Sequence, residues 1–281
     1  MTAPFYVKAG ISSAEYNKRN EQQTKKSIDK QPAGLNFYEQ RWQSKPRGAV
    51  HVEHGDYSFT VPHVLSTMGT EDTLYLDRGI YQFSIRSGLS ADEFIDHDEA
   101  RIEMMALLQS IVATGWHPHT ELYKPRLLGK NSFYYRLEDS SLYTPDPMYT
   151  PTLEEWMALD TDSDWTFYIE DVFLTVNFRR RLNHKGNNEL GVYLLTFTLT
   201  TRDEKARKPF SGNDREQWLS LWVENTKVRK IRRYKKEVEL IKRGYHINTD
   251  YVDPIIHPDD PVEPDSEEAL ALLKYINENN K

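Results

Sequence analysis

Apolar and polar residues alternate along two segments in the second half of the chain. In the first segment, 164–181, the apolar positions are Phe167, Ile169, Val172, Leu174, Val176 and Phe178. The second segment, 192–200, repeats the alternation with β-branched and aromatic residues throughout. A period of two is expected of strands with one buried face, and the polar residues 183–188 are typical of an exposed connection. The pattern therefore predicts an antiparallel pair of strands joined by a long loop.

Shorter segments of the same kind occur in the first half of the chain. Four strand candidates lie at 50–52, 57–61, 74–76 and 80–85. The turn residues 77–79 (Asp-Arg-Gly) predict a hairpin within 73–86. Ser90 and Glu93 form a capping box, and apolar residues follow at helical spacing as far as Gly115. We therefore expect a long helix from Ser90 to Gly115 that covers one face of a sheet.

The middle of the chain gives weaker signals. Pro125 interrupts the segment 121–128, which suits an edge strand, and residues 133–137 alternate as a strand does. Thr152 and Glu155 form a second capping box, which predicts a short helix through Leu159.

A second long helix is predicted from about Asp214 to Arg243, with Gly244 at its end. Its second half, from Lys227 onward, is strongly basic, whereas residues 250–281 are acidic and rich in proline. We expect this acidic strap to lie back along the basic helix and neutralise it.

These elements predict an α+β fold, with antiparallel β-sheet segments and two long helices packed on them. The segments 56–109 and 165–227 each run strand, loop, strand, helix. The chain could therefore contain two related β-β-α halves that arose by duplication, or two unrelated segments that share this order of elements. The expected organisation has four consecutive parts: a polar N-terminal arm or tether (1–33), an N-terminal α+β half (34–150), a C-terminal α+β half (151–249), and the strap with a closing helix (250–281).

Composition narrows the class of protein. The net charge of −7 disfavours a general nucleic-acid binder. No apolar run approaches the roughly 20 residues of a membrane span. Aromatic residues make up 12% of the chain and must supply much of the buried area.

Candidate chemistry is sparse. The histidine pairs His51/His54 and His117/His119 lack a third metal ligand nearby in sequence, so we expect neither a metal site nor a cofactor. Residues 97–99 (His-Asp-Glu) suit a helix N-terminus better than an acid–base set. No nucleophile turn or phosphate-binding loop occurs, so we expect no catalytic residues and no enzyme activity.

Two short segments are the candidates for contact with another protein. Exposed aromatic residues among acidic ones are typical of an interface, although a covered loop is an equal alternative for the proline-rich segment. The predicted partner-binding residues are Tyr143, Met148 and Tyr149 in the proline-rich loop, and Asp160, Asp162 and Asp164 in the acidic segment before Trp165.

Parts of the chain resemble a known family. The Trp165-x-Phe167 strand with Asp171-Val172-Phe173-Leu174, the helix of Trp218 and Trp222, and the segment 244–254 resemble mature bacterial immunity proteins paired with type VI secretion lipase effectors. The resemblance implies a periplasmic, often lipid-anchored protein that neutralises a phospholipase by binding it. It also implies that the arm before Gly34 is a tether.

The sequence departs from the family pattern at two points, since it has neither the lipobox cysteine of a lipid anchor nor a signal segment. Periplasmic localisation therefore presumes an export segment removed ahead of residue 1, and a cytoplasmic location is the alternative. The alternative function is a non-enzymatic accessory or structural component of a secretion or phage assembly.

Overall fold

The structure is a computed structural model that describes residues 5–23, 28–31, 34–139, 142–182, 190–260 and 264–280. The chain divides into two compact units: Met1–His117 with Thr152–Glu204, and Pro118–Pro151 with Lys205–Lys281. We call them unit 1 and unit 2. Each unit is built from two separate stretches of sequence, whereas the predicted parts are consecutive.

The secondary structure follows the chain in this order. The strands are β1 (Phe5–Val7), β2 (Ile28–Gln31), β3 (Leu35–Arg41), β4 (Gly48–Val52), β5 (Phe59–Asp72), β6 (Ile80–Gly88), β7 (Ile95–Asp96), β8 (His117–Pro118), β9 (Asp162–Ile169), β10 (Val172–Leu182) and β11 (Leu190–Thr201). The helices are α1 (Ser13–Arg19), α2 (His97–Ala113), α3 (Gly129–Glu138), α4 (Leu153–Ala158), α5 (Arg202–Arg207), α6 (Asn213–Glu216), α7 (Trp218–Lys242) and α8 (Glu267–Asn279).

The described strands form one mixed sheet in the order β1-β4-β5-β6-β11-β10-β9-β8. Three strands lie off this path: β3 pairs with β5, β2 pairs with β3, and β7 pairs with β11. β1 and β4 are parallel, and the pairs from β4 through β5, β6, β11 and β10 to β9 are antiparallel. The α+β class is confirmed. The strands of the two candidate β-β-α halves share this one sheet, while the long helices α2 and α7 belong to different units.

One face of the sheet forms the core of unit 1. Cross-strand neighbours on this face include Trp165, Val176, Phe197 and Ile85, all of them buried. α2 and α4 pack on this side, and the Trp156 ring stacks on Phe178 with centroids 4.9 Å apart. Burial of these large apolar side chains is the main force that holds unit 1 together.

The strand pair β10–β11 confirms the strongest sequence signal, but the first segment contains a turn. Apart from Phe173, the buried positions of this segment are odd-numbered through Ile169 and even-numbered from Val172. This change of phase is explained by a two-residue turn, Glu170–Asp171, between the paired residues Ile169 and Val172. Glu170 adopts the left-handed conformation that such a turn requires, with a φ of 47°. The segment 164–181 is therefore a hairpin of β9 and β10, and Leu182–Leu190 encloses the predicted polar loop, whose residues 183–188 lie outside the described ranges.

The N-terminal arm prediction is wrong for residues 5–20. β1 pairs with β4, and the Tyr16 ring packs against Phe5 and Phe83 with centroids 6.0 and 5.6 Å away. Asn20 is also buried, and its side chain exchanges two hydrogen bonds with the backbone of Tyr6. The polar residues of α1 face solvent, and Tyr16 is the helix residue that is buried. The low apolar content of the segment therefore suggested a loose arm although one aromatic side chain anchors it to the core.

Two predicted strand boundaries in unit 1 are also wrong. β5 continues through 62–72, although the sequence predicted a connection there between the strand candidates 57–61 and 74–76. The chain accommodates Pro62 because the β4–β5 register shifts between Gly48 and Val50. Leu74 and Leu76, predicted as a strand, lie in the exposed connection before β6.

The predicted helix starts at Asp96 rather than at Ser90. Asp96 accepts hydrogen bonds from the backbone of Asp98 and Glu99, which makes it the N-cap of α2. Residues 89–94 are bends and irregular backbone between two strand contacts, in which Leu89 N donates to Tyr193 O at 3.1 Å and Ile95 pairs with Gly191. The predicted end is confirmed at Gly115, whose φ is 102°.

In unit 2, the segment 133–137 is helical, so the strand prediction there is wrong. α3 buries Ser132, Phe133, Tyr135 and Arg136, which is helical spacing. Asp146 holds the start of the helix by accepting from Gly129 N at 2.8 Å. The segment 121–128 likewise forms no strand.

The predicted second long helix is confirmed at its end but not at its start, because residues 213–216 form the separate short helix α6 and α7 begins only at Trp218. Gly244 ends the helix region with a φ of 87°. Four basic residues of α7 pair with strap carboxylates: Lys227 with Asp265, Lys230 and Arg233 with Asp253, and Lys235 with Glu268. Strap residues 261–263 lie outside the described ranges.

Candidate functional site

The face of the unit 1 sheet opposite the core is open and polar along three rows of cross-strand neighbours, whereas Phe173, Thr200 and Thr70 in the row beside them are buried. One row of cross-strand neighbours is Thr166, Thr175, Thr198, Ser84 and Met68. The next row is Asp164, Asn177, Thr196, Arg86 and Ser66. All ten side chains are half-buried or exposed. We call these two rows, with the Asp162–Arg179–Leu194 row beside them, the open face.

Short side chains give the open face its character. Thr166 and Thr175 join their hydroxyls across β9 and β10 at 3.2 Å. Met68 and Leu194 add apolar surface, with 36% and 45% of their area exposed. Side chains with few rotamers lose little entropy when a partner covers them, so this surface suits protein contact.

The predicted acidic residues lie at one end of the open face. Asp160, Asp162 and Asp164 are exposed, and the last two belong to β9. Asp162 contacts Arg179 at 3.0 Å, and Asn177 donates to both Asp162 and Asp164 at 2.5 and 3.3 Å. The structure therefore brings this half of the predicted set together on one surface.

The predicted loop residues lie in unit 2 and differ among themselves. Tyr143 is only 2% exposed, and its hydroxyl donates to Pro125 O at 2.9 Å and accepts from Leu127 N at 3.2 Å. Of the two alternatives for this loop, the covered one holds for Tyr143, which is not available to a partner. Its burial follows from the cluster it forms with Tyr135 and Leu240.

Met148 is the exposed residue of that loop, at 54%. Tyr149 is half-buried and packs against Phe133 with ring centroids 5.5 Å apart. Asp146 accepts from Met148 N at 2.9 Å, which fixes the local turn. Of the three predicted loop residues, Met148 alone has a mostly exposed side chain.

Unit 2 also contains a buried charge cluster; the sequence predicted pairing of the strap with the basic helix but not the burial of these charges. Arg233 is 1% exposed and contacts both oxygens of Asp253 at 2.8 and 2.9 Å. Burial by itself raises the pKa of Asp253, but Arg233 and Lys230 outweigh it and hold that pKa below its usual value. The charged form of Asp253 therefore belongs to the folded state.

Burial and neighbouring charges also set the pKa values of His119 and Glu121, and burial has the larger effect at His119. Burial lowers the pKa of His119 to about 4, against a smaller opposing effect of Glu121. Burial would raise the pKa of Glu121, but Lys205, His119 and Arg229 bring it down to about 2. A neutral imidazole and an ionised carboxylate thus lie side by side, with His119 Nε2 3.9 Å from Glu121 Oε1.

Shifted pKa values are common at catalytic sites, but they also occur in structural ion-pair networks. Lys205 contacts Glu121 at 2.8 Å, and Arg229 contacts it at 3.4 Å. His119 itself is 7% exposed and Tyr251 lies 3.4 Å from its Nδ1. These direct contacts between charged side chains favour a stabilising role for the cluster.

The remaining histidine predictions have separate outcomes. His97 is the first residue of α2, and its Nδ1 lies 2.8 Å from the Tyr193 hydroxyl. This agrees with a structural role for residues 97–99. His54 lies near Glu170 and Asp171, which are distant in sequence, so it has the neighbouring carboxylates that the local sequence did not show.

Comparisons with known proteins give no match. No family model, curated protein or solved structure matches the chain. Among the described residues, no helix is both long and apolar enough to cross a membrane.

Proposed function

We propose that the chain is an immunity protein that binds a secreted antibacterial lipase and blocks its active site or its membrane-facing surface. The observation that carries the proposal is the open face, a polar sheet surface with an exposed acidic end at Asp162 and Asp164. The resemblance of the sequence to immunity proteins supplies the class of partner.

The open face supports a mechanism of steric and electrostatic occlusion. Its rows span β9, β10, β11, β6 and β5, so it offers a broad surface on a rigid sheet rather than a mobile loop. Acidic residues at its end would attract a basic rim on the lipase and orient the encounter. No bond is made or broken, and the lipase is inhibited because its substrate is excluded.

Affinity capture followed by an inhibition assay tests the proposal. The purified chain is immobilised, exposed to the secreted fraction of the bacterium that encodes it, and the retained proteins are identified by mass spectrometry. A retained lipase is then assayed on phospholipid vesicles with and without an equimolar amount of the chain. Inhibition supports the proposal, and full lipase activity in the presence of bound chain contradicts it. Recovery of secretion or phage tail components would instead support the accessory role.

Charge reversal at the acidic end is expected to weaken partner binding without unfolding the chain. Asp160, Asp162 and Asp164 are exposed, so their replacement by lysine should change the free energy of unfolding by no more than about 1 kcal/mol. Reversed charges facing a basic rim should raise the dissociation constant at least about tenfold. Surface plasmon resonance against the captured lipase measures this constant.

The matched control reverses three exposed acids of unit 1 outside the open face: Asp77, Asp92 and Glu154. It makes the same change in net charge. Equal affinity of the two triple variants would remove the acidic end from the interface.

A further inference from the structure

The turn of the β9–β10 hairpin meets the loop that follows β4. Glu170 and Asp171 form the turn, and His54 lies in the loop. One ligand atom from each of these three residues lies within 4.8 Å of the other two. All three belong to unit 1.

His54 is held in place by its neighbours. Its ring centroid lies 6.0 Å from that of Trp116 and 6.2 Å from that of Tyr57. Its backbone N–H donates to the Ser58 hydroxyl at 2.9 Å, and the Trp116 indole donates to Tyr57 O at 2.9 Å. The imidazole is therefore oriented before any ligand arrives, as a metal-binding histidine needs.

Within the part of the chain that the structure describes, no residue forms a hydrogen bond with Nε2 of this ring. Nε2 is buried, and Glu170 Oε2 lies 3.2 Å away. The distance is that of an ion pair, but the orientation does not form a hydrogen bond. A buried nitrogen without a hydrogen bond is costly, and a bound cation on its lone pair would remove that cost.

We propose that His54, Glu170 and Asp171 bind one Zn²⁺ ion. An imidazole with two carboxylates suits a borderline transition ion, whereas Ca²⁺ and Mg²⁺ prefer oxygen ligands alone. Zinc bonds to nitrogen and oxygen are about 2 Å long, so the ligand atoms must move somewhat closer together. The carboxylates of Glu170 and Asp171 are on exposed residues and can turn inward.

Three protein ligands leave one zinc position open, which a water molecule or a donor atom of a partner would fill. The two carboxylates match the charge of the ion. The site would tie the hairpin turn to the loop of His54, and it does not depend on the function proposed above. The arrangement without a metal is the direct contact of His54 with Glu170 at 3.2 Å, in which Asp171 has no role.

Calorimetric titration of the chelator-treated full chain with ZnCl₂ tests the site. We expect saturable binding that Asp171→Asn and Glu170→Gln each weaken by roughly tenfold or more, since even indirect changes to a metal site cost about that much. Both variants replace exposed turn residues by near-isosteres, so folding should be retained. His51→Gln is the matched control, because His51 lies on the same segment but outside the cluster.

Three further results decide the assignment. We expect the NMR signals of the His54 ring to shift on zinc addition, and His54→Gln to abolish the binding that Asp171→Asn weakens. We also expect Mn²⁺, Ca²⁺ and Mg²⁺ to bind less tightly than Zn²⁺. A zinc isotherm that is the same in the wild type and in Asp171→Asn overturns the site, and tighter binding of Ca²⁺ than of Zn²⁺ overturns the choice of metal.

Discussion

Replacement of Glu237 by alanine is expected to lower the free energy of unfolding by about 3–5 kcal/mol. Glu237 is 0% exposed and accepts three hydrogen bonds from Arg126: from the backbone N and Nε at 2.9 Å, and from the terminal nitrogen at 2.8 Å. Arg126 is 6% exposed, so the variant deprives a buried guanidinium and a backbone N–H of this acceptor. Chemical denaturation measures the loss.

The matched control for this prediction is Glu239→Ala on the same helix, α7. The Glu239 side chain is 64% exposed and pairs with Lys236 at 3.1 Å. Exposed pairs of this kind contribute about 0–1 kcal/mol. Hydrogen exchange should show the loss of protection in α3 and α7 for Glu237→Ala alone. Equal stability of the two variants would contradict the importance of the buried pair.

The sequence predicted those elements whose pattern is both long and local. The alternation at Val172–Phe178 and at 192–200 identified β10 and β11, because their burial repeats at every second residue. The capping box of Thr152 and Glu155 was confirmed in both of its hydrogen bonds. Such signals depend only on neighbouring residues, so no tertiary information was needed.

The errors arose where distant contacts override local preference. Ser90 and Glu93 satisfy the helix-start pattern, but both lie in a bent segment, and pairing of Ile95 with Gly191 on β11 delays the start of the helix until after this pair. Residues 133–137 are too few for periodicity to separate a strand from a helix. Asp146 settles that choice from outside the segment by holding Gly129 at the start of α3.

The candidate sites also differ in whether local sequence or distant contacts bring their residues together. Asp162 and Asp164 were predicted as partner-binding residues from the acidic segment before Trp165, and the structure places both on β9. His54, Glu170 and Asp171 were not connected by sequence analysis, since only the position of the β9–β10 turn brings them together. The phase change between Ile169 and Val172 is the local signal from which this turn could have been predicted.

Acidification is expected to destabilise unit 2 through His119. Its pKa is about 4 in the folded chain, whereas an unperturbed histidine, which represents the unfolded chain, has a pKa of 6.5. Below pH 6.5 the unfolded state binds a proton that the folded state rejects, so stability is lost as the pH falls from 6.5 to 4. A difference of this size corresponds to about 3 kcal/mol.

Glu121 acts over a lower range of pH. Its pKa falls from 4.5 to about 2 on folding, so its contribution is present above pH 4.5 and is lost below it. Any loss of stability between pH 6.5 and 4.5 should therefore come mainly from His119 rather than from this carboxylate. The two ranges separate the histidine from its neighbour in one titration.

Urea unfolding at a series of pH values measures how the free energy of unfolding depends on pH. His119→Gln is expected to flatten this dependence between pH 6.5 and 4.5, because the variant has no imidazole to protonate. The matched control is His246→Gln, an exposed histidine of the same unit, which should keep the wild-type slope. A slope that survives in His119→Gln would mean that another group takes up the proton, and the buried cluster of Glu121 and Asp253 would then not depend on a neutral His119.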